Sequence, residues 1–168
     1  PTRRSSDLIG TDVLPVELLA PDGEKDSVHK QKIIKMLRKT YELNGKEYGW
    51  IDLVLVIIEG SIKDLGTPIK LLNEAIVPHI QKNRILVVIN QCDLSMRGRH
   101  WDKGSGKPDS ALKDRLEDLA VSIQSRVKES THLDVIKPVC YSCEYNYNLN
   151  ALLDLIIDNL PRTRRIIK

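Results

Sequence analysis

Arg84-Ile-Leu-Val-Val-Ile-Asn-Gln-Cys-Asp93 is a short apolar run that ends in Asn-x-x-Asp. Its continuous aliphatic stretch reads as a strand buried on both faces, the kind found in parallel sheets. A second run of the same type, Val135-Ile-Lys-Pro-Val-Cys-Tyr-Ser-Cys143, ends in Ser-Cys after an intervening helical segment. In open α/β sheets ligands sit outside the carboxyl ends of the strands. Asn90, Gln91, Asp93, Ser142 and Cys143 are therefore expected along one edge. Such a set suits a guanine ring. The Asp93 carboxylate can accept from the ring N1–H and the exocyclic amine together, the Asn90 amide can hold the loop, and a backbone N–H beside Ser142 can donate to the base oxygen. Adenine presents the opposite pattern and would leave the site's polar groups unpaired. A competing reading is local: Asn90 and Asp93 form an Asx turn and cap a loop.

Working outward, strands alternate with helices. Residues 9–23 are irregular, punctuated by Pro15 and Pro21-Asp22-Gly23. Asp26-Ser27 is expected to cap a helix with Ile33, Ile34, Leu37 and Tyr41 on one face. Residues 52–58, Asp-Leu-Val-Leu-Val-Ile-Ile, predict a buried strand. Thr67-Pro68 predicts an N-cap with Pro in the first turn, opening a helix through Leu71, Leu72, Ala75 and Ile76 that Pro78 disturbs. After the strand at 84–90 comes a polar, Gly-rich loop over residues 95–108. A longer helix follows from about Asp109, with Leu112, Leu116, Leu119, Ile123 and Val127 at helical spacing. The run ending at Ser142 is the next strand, and a helix from about Asn148 carries Leu149, Leu152, Leu153, Ile156 and Ile157 up to Pro161. This order implies βαβ crossovers and a parallel sheet.

Composition bounds the rest. The 168 residues, 41% hydrophobic and 29% charged, are the size of one globular domain. There is no Phe, so the core is built from Ile, Leu and Val. A net charge of +3 is too mild to argue for nucleic acid by itself, and no apolar run approaches a membrane span. Three cysteines outside any framework pattern fit a reducing cytoplasm. Residues 1–8, Pro-Thr-Arg-Arg-Ser-Ser-Asp-Leu, are what one reading frame of a common short-read sequencing adapter gives on translation. They are expected to be an artefact, with the coding sequence entered part-way through. Residues 9–161 then read as the carboxyl-terminal part of a nucleotide-binding domain, and residues 162–168 as a basic tail or linker.

Asp52-Leu-Val-Leu-Val-Ile-Ile-Glu-Gly60, Asp64-Leu-Gly-Thr67, Ile89-Asn-Gln-Cys-Asp93, Gly98-Arg-His-Trp-Asp102, Tyr141-Ser-Cys143 and Tyr147-Asn-Leu149 together resemble the bacterial 50S ribosome-binding GTPase family. That family belongs to the Era-like branch of P-loop GTPases, and the resemblance covers residues 22–165. It implies a three-layer α/β sandwich with a parallel sheet, lacking here its first strands and P-loop. Asn90, Gln91 and Asp93 match the family's base-reading Asn-Lys/Gln-x-Asp, and Ser142 and Cys143 match its Ser-Ala pair. Gln91 stands where most GTPases have Lys, and Cys143 where they have Ala. The implied ligand is GTP or GDP, with Mg2+ only in an intact parent, and the implied partner is the ribosome or RNA.

No Gly-x-x-x-x-Gly-Lys-Ser/Thr loop occurs in the chain, and hydrolysis needs such a loop to cradle the phosphates. The family's Asp-x-Pro-Gly is echoed by Ala20-Pro-Asp-Gly23 without its leading Asp, and Gly10-Thr11 is a candidate switch remnant. The chain is thus expected to bind guanine without phosphate chemistry and without turnover. The alternative is a degenerate GTPase-like interaction module that never hydrolysed GTP. Cys92, His100, Cys140 and Cys143 offer zinc-ligating side chains, but Cys140 and Cys143 would face opposite ways in an extended strand. Arg97, Arg99, Lys103 and Lys107, with His100 and Trp101 among them, could touch RNA. A solvated loop folding over the nucleotide is the preferred reading of that stretch.

Overall fold

The computed structural model describes residues 23–167. The adapter-like residues 1–8, Gly10-Thr11 and residues 20–22 of the Pro-Asp-Gly turn lie outside the described residues. The first described helix, α1 (Gly23–Leu37), begins ahead of the expected Asp26-Ser27 start. Leu37 is buried and Ile33 packs against the same core, whereas Tyr41 has left the helix for a strand. That strand, β1 (Thr40–Leu43), pairs antiparallel with β2 (Lys46–Gly49). Asn44 and Gly45, at φ 53° and 72°, make the turn between them, both in the left-handed region that a two-residue hairpin requires.

β3 (Val54–Glu59) starts two residues later than the expected strand at 52. Asp52 is otherwise engaged: its Oδ1 accepts the Arg165 N–H at 2.8 Å and Arg84 Nη1 at 3.1 Å. β3 pairs in parallel with β4 (Ile85–Asn90), from Val54 opposite Ile85 to Glu59 opposite Asn90. Every residue from Ile85 to Ile89 is buried, as a strand flanked on both faces must be.

α2 (Gly66–Leu71) is capped at Leu65 with no side-chain bond, which corrects Thr67 as N-cap. Asp64 Oδ1 instead takes the Gly66 N–H at 2.9 Å. The helix then widens into a π turn, Leu72–Ile76, closed by Val77 N–H to Leu72 O at 2.8 Å. Pro78, which has no N–H to give and whose ring crowds the carbonyl four residues back, follows at once.

β5 (Trp101–Asp102) and β6 (Lys107–Pro108) form a short hairpin inside the stretch expected to be a loop. α3 (Ser110–Thr131) starts from Asp109, whose Oδ1 accepts Leu112 N–H at 3.0 Å. Its buried stripe is Leu112, Leu116, Ala120, Ile123, Val127 and Thr131. Leu119, expected in that stripe, is half-buried beside it and touches both core clusters.

The expected strand over 135–142 is reduced to one parallel bridge, Ile89 opposite Cys140. Ile89 N–H reaches Val139 O at 2.9 Å and Tyr141 N–H reaches Ile89 O at 2.8 Å. Pro138 cannot donate to a ladder, so pairing begins after it. β4 is thus the middle line of a small parallel sheet in an α/β arrangement. α4 (Leu149–Asp158) starts from Asn148 as expected, but no residue in it is fully buried.

Residues 162–167, expected as a basic tail or linker, run along β2. Tyr48 bridges Ile166, Gly49 N–H donates to Arg165 O at 2.7 Å, and Ile167 N–H donates to Glu47 O at 2.9 Å. Arg165 is buried, its Nη1 on His79 O at 2.6 Å and its Nη2 on Leu37 O at 2.5 Å. Burial holds that guanidinium below its usual range. Among the described residues, no helix is long and apolar enough to cross a membrane.

Candidate functional site

The two loops read from the sequence leave the sheet side by side because β4 and residues 139–141 are bonded to each other. Asn90 is the last residue of β4. Its Oδ1 accepts Gln91 N–H at 2.7 Å and Cys143 N–H at 3.4 Å, so one amide oxygen ties its own loop to the Ser-Cys loop. Below it, Cys92 N–H donates to Tyr141 O at 3.2 Å. Gln91 turns the chain at φ 55°, ψ 38°, with its side chain exposed.

β3 supplies the third wall. Gly60 N–H donates to Asn90 O at 2.7 Å, and a Cβ on Gly60 would lie 2.8 Å from Gln91 O. Only glycine lets β3 end so close to the Gln91-Cys92 backbone.

Asp93 and Ser142 are the unusual members. Both are buried, and neither Asp93 Oδ1 nor Ser142 Oγ has a hydrogen-bond partner among the described residues. A buried polar atom without a partner costs about 1–3 kcal/mol, so two at one sheet edge ask for a ligand or an ordered water. No hydrogen bond joins either to Asn90, Gln91 or Cys143 among the described residues. Cys143 is exposed and contributes its backbone N–H.

The Ser-Cys loop is fixed from behind. Ser142 and Tyr147 exchange two backbone bonds, at 3.1 and 3.0 Å, across a turn in which Asn146 has φ 52°. Asn148 Nδ2 donates to Cys140 O at 2.9 Å. Trp101, 8% exposed, meets Tyr145 at 5.2 Å and Tyr147 at 5.3 Å between ring centroids, the latter edge-on. Cys92, Leu112 and Leu116 complete that cluster. The 95–108 stretch is anchored at a few points while most of its residues are exposed, as a solvated loop would be: His100 O accepts Asp109 N–H at 2.9 Å, and His100 Nδ1 meets Asp109 Oδ2 at 2.8 Å. A buried Trp101 is not available to stack on RNA.

Thiol chemistry is disfavoured at Cys92 and Cys140. Burial pushes Cys92 up to about 12, helped by Cys140 and Asp93, and pushes Cys140 up to about 12, helped by Glu117. Tyr141 is likewise raised to about 12 by burial, with Cys143 adding to it. Among the described residues no group of three or more His, Cys, Asp or Glu side chains is placed to hold a metal ion, so Cys92, His100, Cys140 and Cys143 are not gathered as a zinc set.

Gly60, Trp101, Tyr145 and Asn148 support the site without having been singled out as site residues. A signal existed for Trp101, an indole in an otherwise polar stretch. Gly60 gave none, because its role depends on how close β3 and β4 approach. No protein-family model, curated protein or solved structure matches the chain.

Proposed function

We propose that this chain recognises the guanine base of GTP or GDP at the edge formed by Asn90, Gln91, Asp93, Ser142 and Cys143. The observation that carries the reading is the pair of buried, unpartnered oxygens on Asp93 and Ser142, beside an Asn90 that ties both loops together. Asp93 supplies the paired acceptor for N1–H and the exocyclic amine. Ser142 N–H stays on Tyr147 O, and Cys143 N–H, held by Asn90 Oδ1 only at 3.4 Å, turns to the base oxygen as its donor. The Gln91 stem lies over the ring in place of a lysine. On this reading β3, β4 and residues 139–141 belong to the parallel sheet of a three-layer, GTPase-like sandwich. The ribosome as partner is carried by the sequence resemblance alone.

Phosphate chemistry is not part of the proposal. The sequence contains no Gly-x-x-x-x-Gly-Lys-Ser/Thr loop. The purified chain is expected to show no GTP turnover above buffer background, and to hold nucleotide weakly because most phosphate contacts are missing.

Weak binding suits amide chemical-shift mapping on the 15N-labelled chain. GDP is expected to move the amides of residues 90–94 and 142–144, and ADP to leave them in place. Asp93→Asn turns one acceptor into a donor, removing a charge-assisted interaction of about 1.5–3 kcal/mol from GDP. Xanthine carries an oxygen where guanine carries the amine, so the variant is expected to prefer XDP. Equal shifts with ADP, or an unchanged GDP/XDP preference in Asp93→Asn, would overturn the base-reading assignment.

A further inference from the structure

The β1–β2 hairpin holds Tyr41, Tyr48 and Trp50, three of the seven aromatic side chains in a chain with five Tyr, two Trp and no Phe. Strand alternation sorts its side chains. Tyr41 pairs with Tyr48, and Leu43 with Lys46. Lys39 precedes this row on β1, and Trp50 continues it after β2. The other face carries Thr40, Glu42, Glu47 and Gly49, as the Thr40 Oγ1 bond to Glu47 Oε1 at 2.7 Å requires. Both acidic residues of the hairpin are therefore on the face opposite the rings.

The carboxyl-terminal segment extends the aromatic face. Ile166 lies across from Tyr48, and Arg164, two residues earlier, sits on the same side. Arg164 is 5.6 Å from the Tyr41 ring centroid and bonds the Tyr41 hydroxyl through Nη1. Lys39 Nζ lies 4.4 Å over the Trp50 ring. Tyr41 and Tyr48 are stacked at 5.7 Å, and Trp50 stands edge-on to Tyr41 at 5.9 Å. Trp50 is 40% exposed, Leu43 46% and Ile166 56%. Lys39, Lys46 and Arg164 supply the cations of this face, and the Asp52 carboxylate lies near enough to Arg164 to act on it.

We propose that this face docks single-stranded RNA, with unpaired bases stacked on Trp50 and the Tyr41–Tyr48 pair and with phosphates on Lys39, Lys46 and Arg164. Rings interleaved with cations, and carboxylates sorted to the opposite face, match a chain that alternates planar bases with negative phosphates. An exposed cation–π contact is weaker than a stacked base, so a base displaces Lys39 from the indole and Lys39 turns to the adjoining phosphate. The Tyr48 hydroxyl, without a hydrogen bond among the described residues, can donate to or accept from a ribose 2′-hydroxyl. A duplex hides its bases and cannot stack this way. The proposal is independent of guanine recognition, which uses β4, residues 139–141 and the loops that follow them.

The test is fluorescence-anisotropy titration of the full 168-residue chain with a labelled 12-nucleotide oligoadenylate RNA. Trp50→Leu is expected to weaken binding about 5- to 150-fold, and Trp50→Phe to recover most of the loss. Lys39→Gln is expected to lower the salt slope of log affinity by about 0.7. Arg97→Gln, in the turn between β4 and β5, is expected to change neither. In the unsubstituted chain the RNA is expected to shift amides of residues 39–50 and 164–167. Shifts confined to residues 95–108, equal affinity for the DNA counterpart, for duplex RNA or for heparin, or Trp50→Leu binding as tightly as Trp50, would each overturn the proposal.

Discussion

Replacing Gly49 by alanine adds one methyl group to β2, and ordinarily that change favours a strand by about 0.5–1 kcal/mol because glycine loses more freedom on folding. Here the sign should reverse. A Cβ at Gly49 would lie 2.7 Å from Arg165 Cζ and closer still to Nε and Nη2. The guanidinium has to leave, and it is 5% exposed and bonded to His79 O and Leu37 O. Eviction strands two carbonyls at about 1–3 kcal/mol each, while the released cation regains its hydration. With the intrinsic gain of alanine subtracted, and with the buried, unpartnered Arg165 Nε released to water, Gly49→Ala should destabilise by about 1–4 kcal/mol. Urea unfolding measures this, and a double-mutant cycle with Arg165→Ala isolates the cause. In the Arg165→Ala background the same methyl should be neutral or mildly stabilising. An equal penalty in both backgrounds, or one below about 0.5 kcal/mol with Arg165 present, would refute the idea that Gly49 exists to admit that side chain.

Three further outcomes are expected. Gly45→Ala, at φ +72° with no atom within 4 Å of the new Cβ, should cost about 1–2 kcal/mol through backbone strain alone, read as a lower thermal midpoint that is the same with Arg165 or alanine at 165. At pH 8 a maleimide should label exposed Cys143 first, while Cys92 and Cys140, pushed up to about 12 by burial, react only as the chain unfolds; peptide mass spectrometry showing Cys92 modified as fast as Cys143 would contradict this. Asp109 is held below the usual carboxylate range by Leu112 N–H and then by His100. Its contribution is present above the unfolded value of about 3.9 and is lost as pH falls through the lowered folded value. Asp109→Ala should therefore lower the urea midpoint at pH 7 and have little effect at pH 2.5.

The parts of the fold visible in the sequence are those set by local physics. The aliphatic run 85–89 is buried on both faces and lies where its composition puts it, and Asp109 and Asn148 start their helices because a capping side chain or a left-handed turn residue is a local matter. The β1–β2 hairpin is equally local: Asn44-Gly45 between Tyr-Glu-Leu and Lys-Glu-Tyr is a strong hairpin signal, although the helical period of Ile33, Ile34 and Leu37 also runs on to Tyr41. Residues that act at a distance were not legible. Arg165 looks like one of several arginines near the chain end, and only the fold brings it to carbonyls 86 and 128 residues away. The start of β3 moved because Asp52 is recruited by Arg84 and Arg165. The strand expected at 135–142 shortened because Pro138 withholds a donor.

For the candidate site the distinction falls between residues that satisfy themselves and residues that do not. A loop-capping role accounts for Asn90, whose Oδ1 is fully used by two backbone N–H groups. It does not account for Asp93 or Ser142. Had these only to shape a loop, a carboxylate oxygen and a hydroxyl would be turned toward N–H groups, because leaving them buried and bare offsets much of a small domain's net stability. The surroundings make relaxation difficult. Asn90 pins one loop, the Ser142–Tyr147 bonds and the Trp101 cluster pin the other, and Gly60 presses β3 against the first. Polar atoms held unsatisfied by a rigid frame are what a preorganised recognition site requires, since the ligand then supplies bonds the protein cannot make for itself. On the proposed reading, Asn90 makes the edge stiff, and Asp93 with Ser142 gives that stiffness something to select.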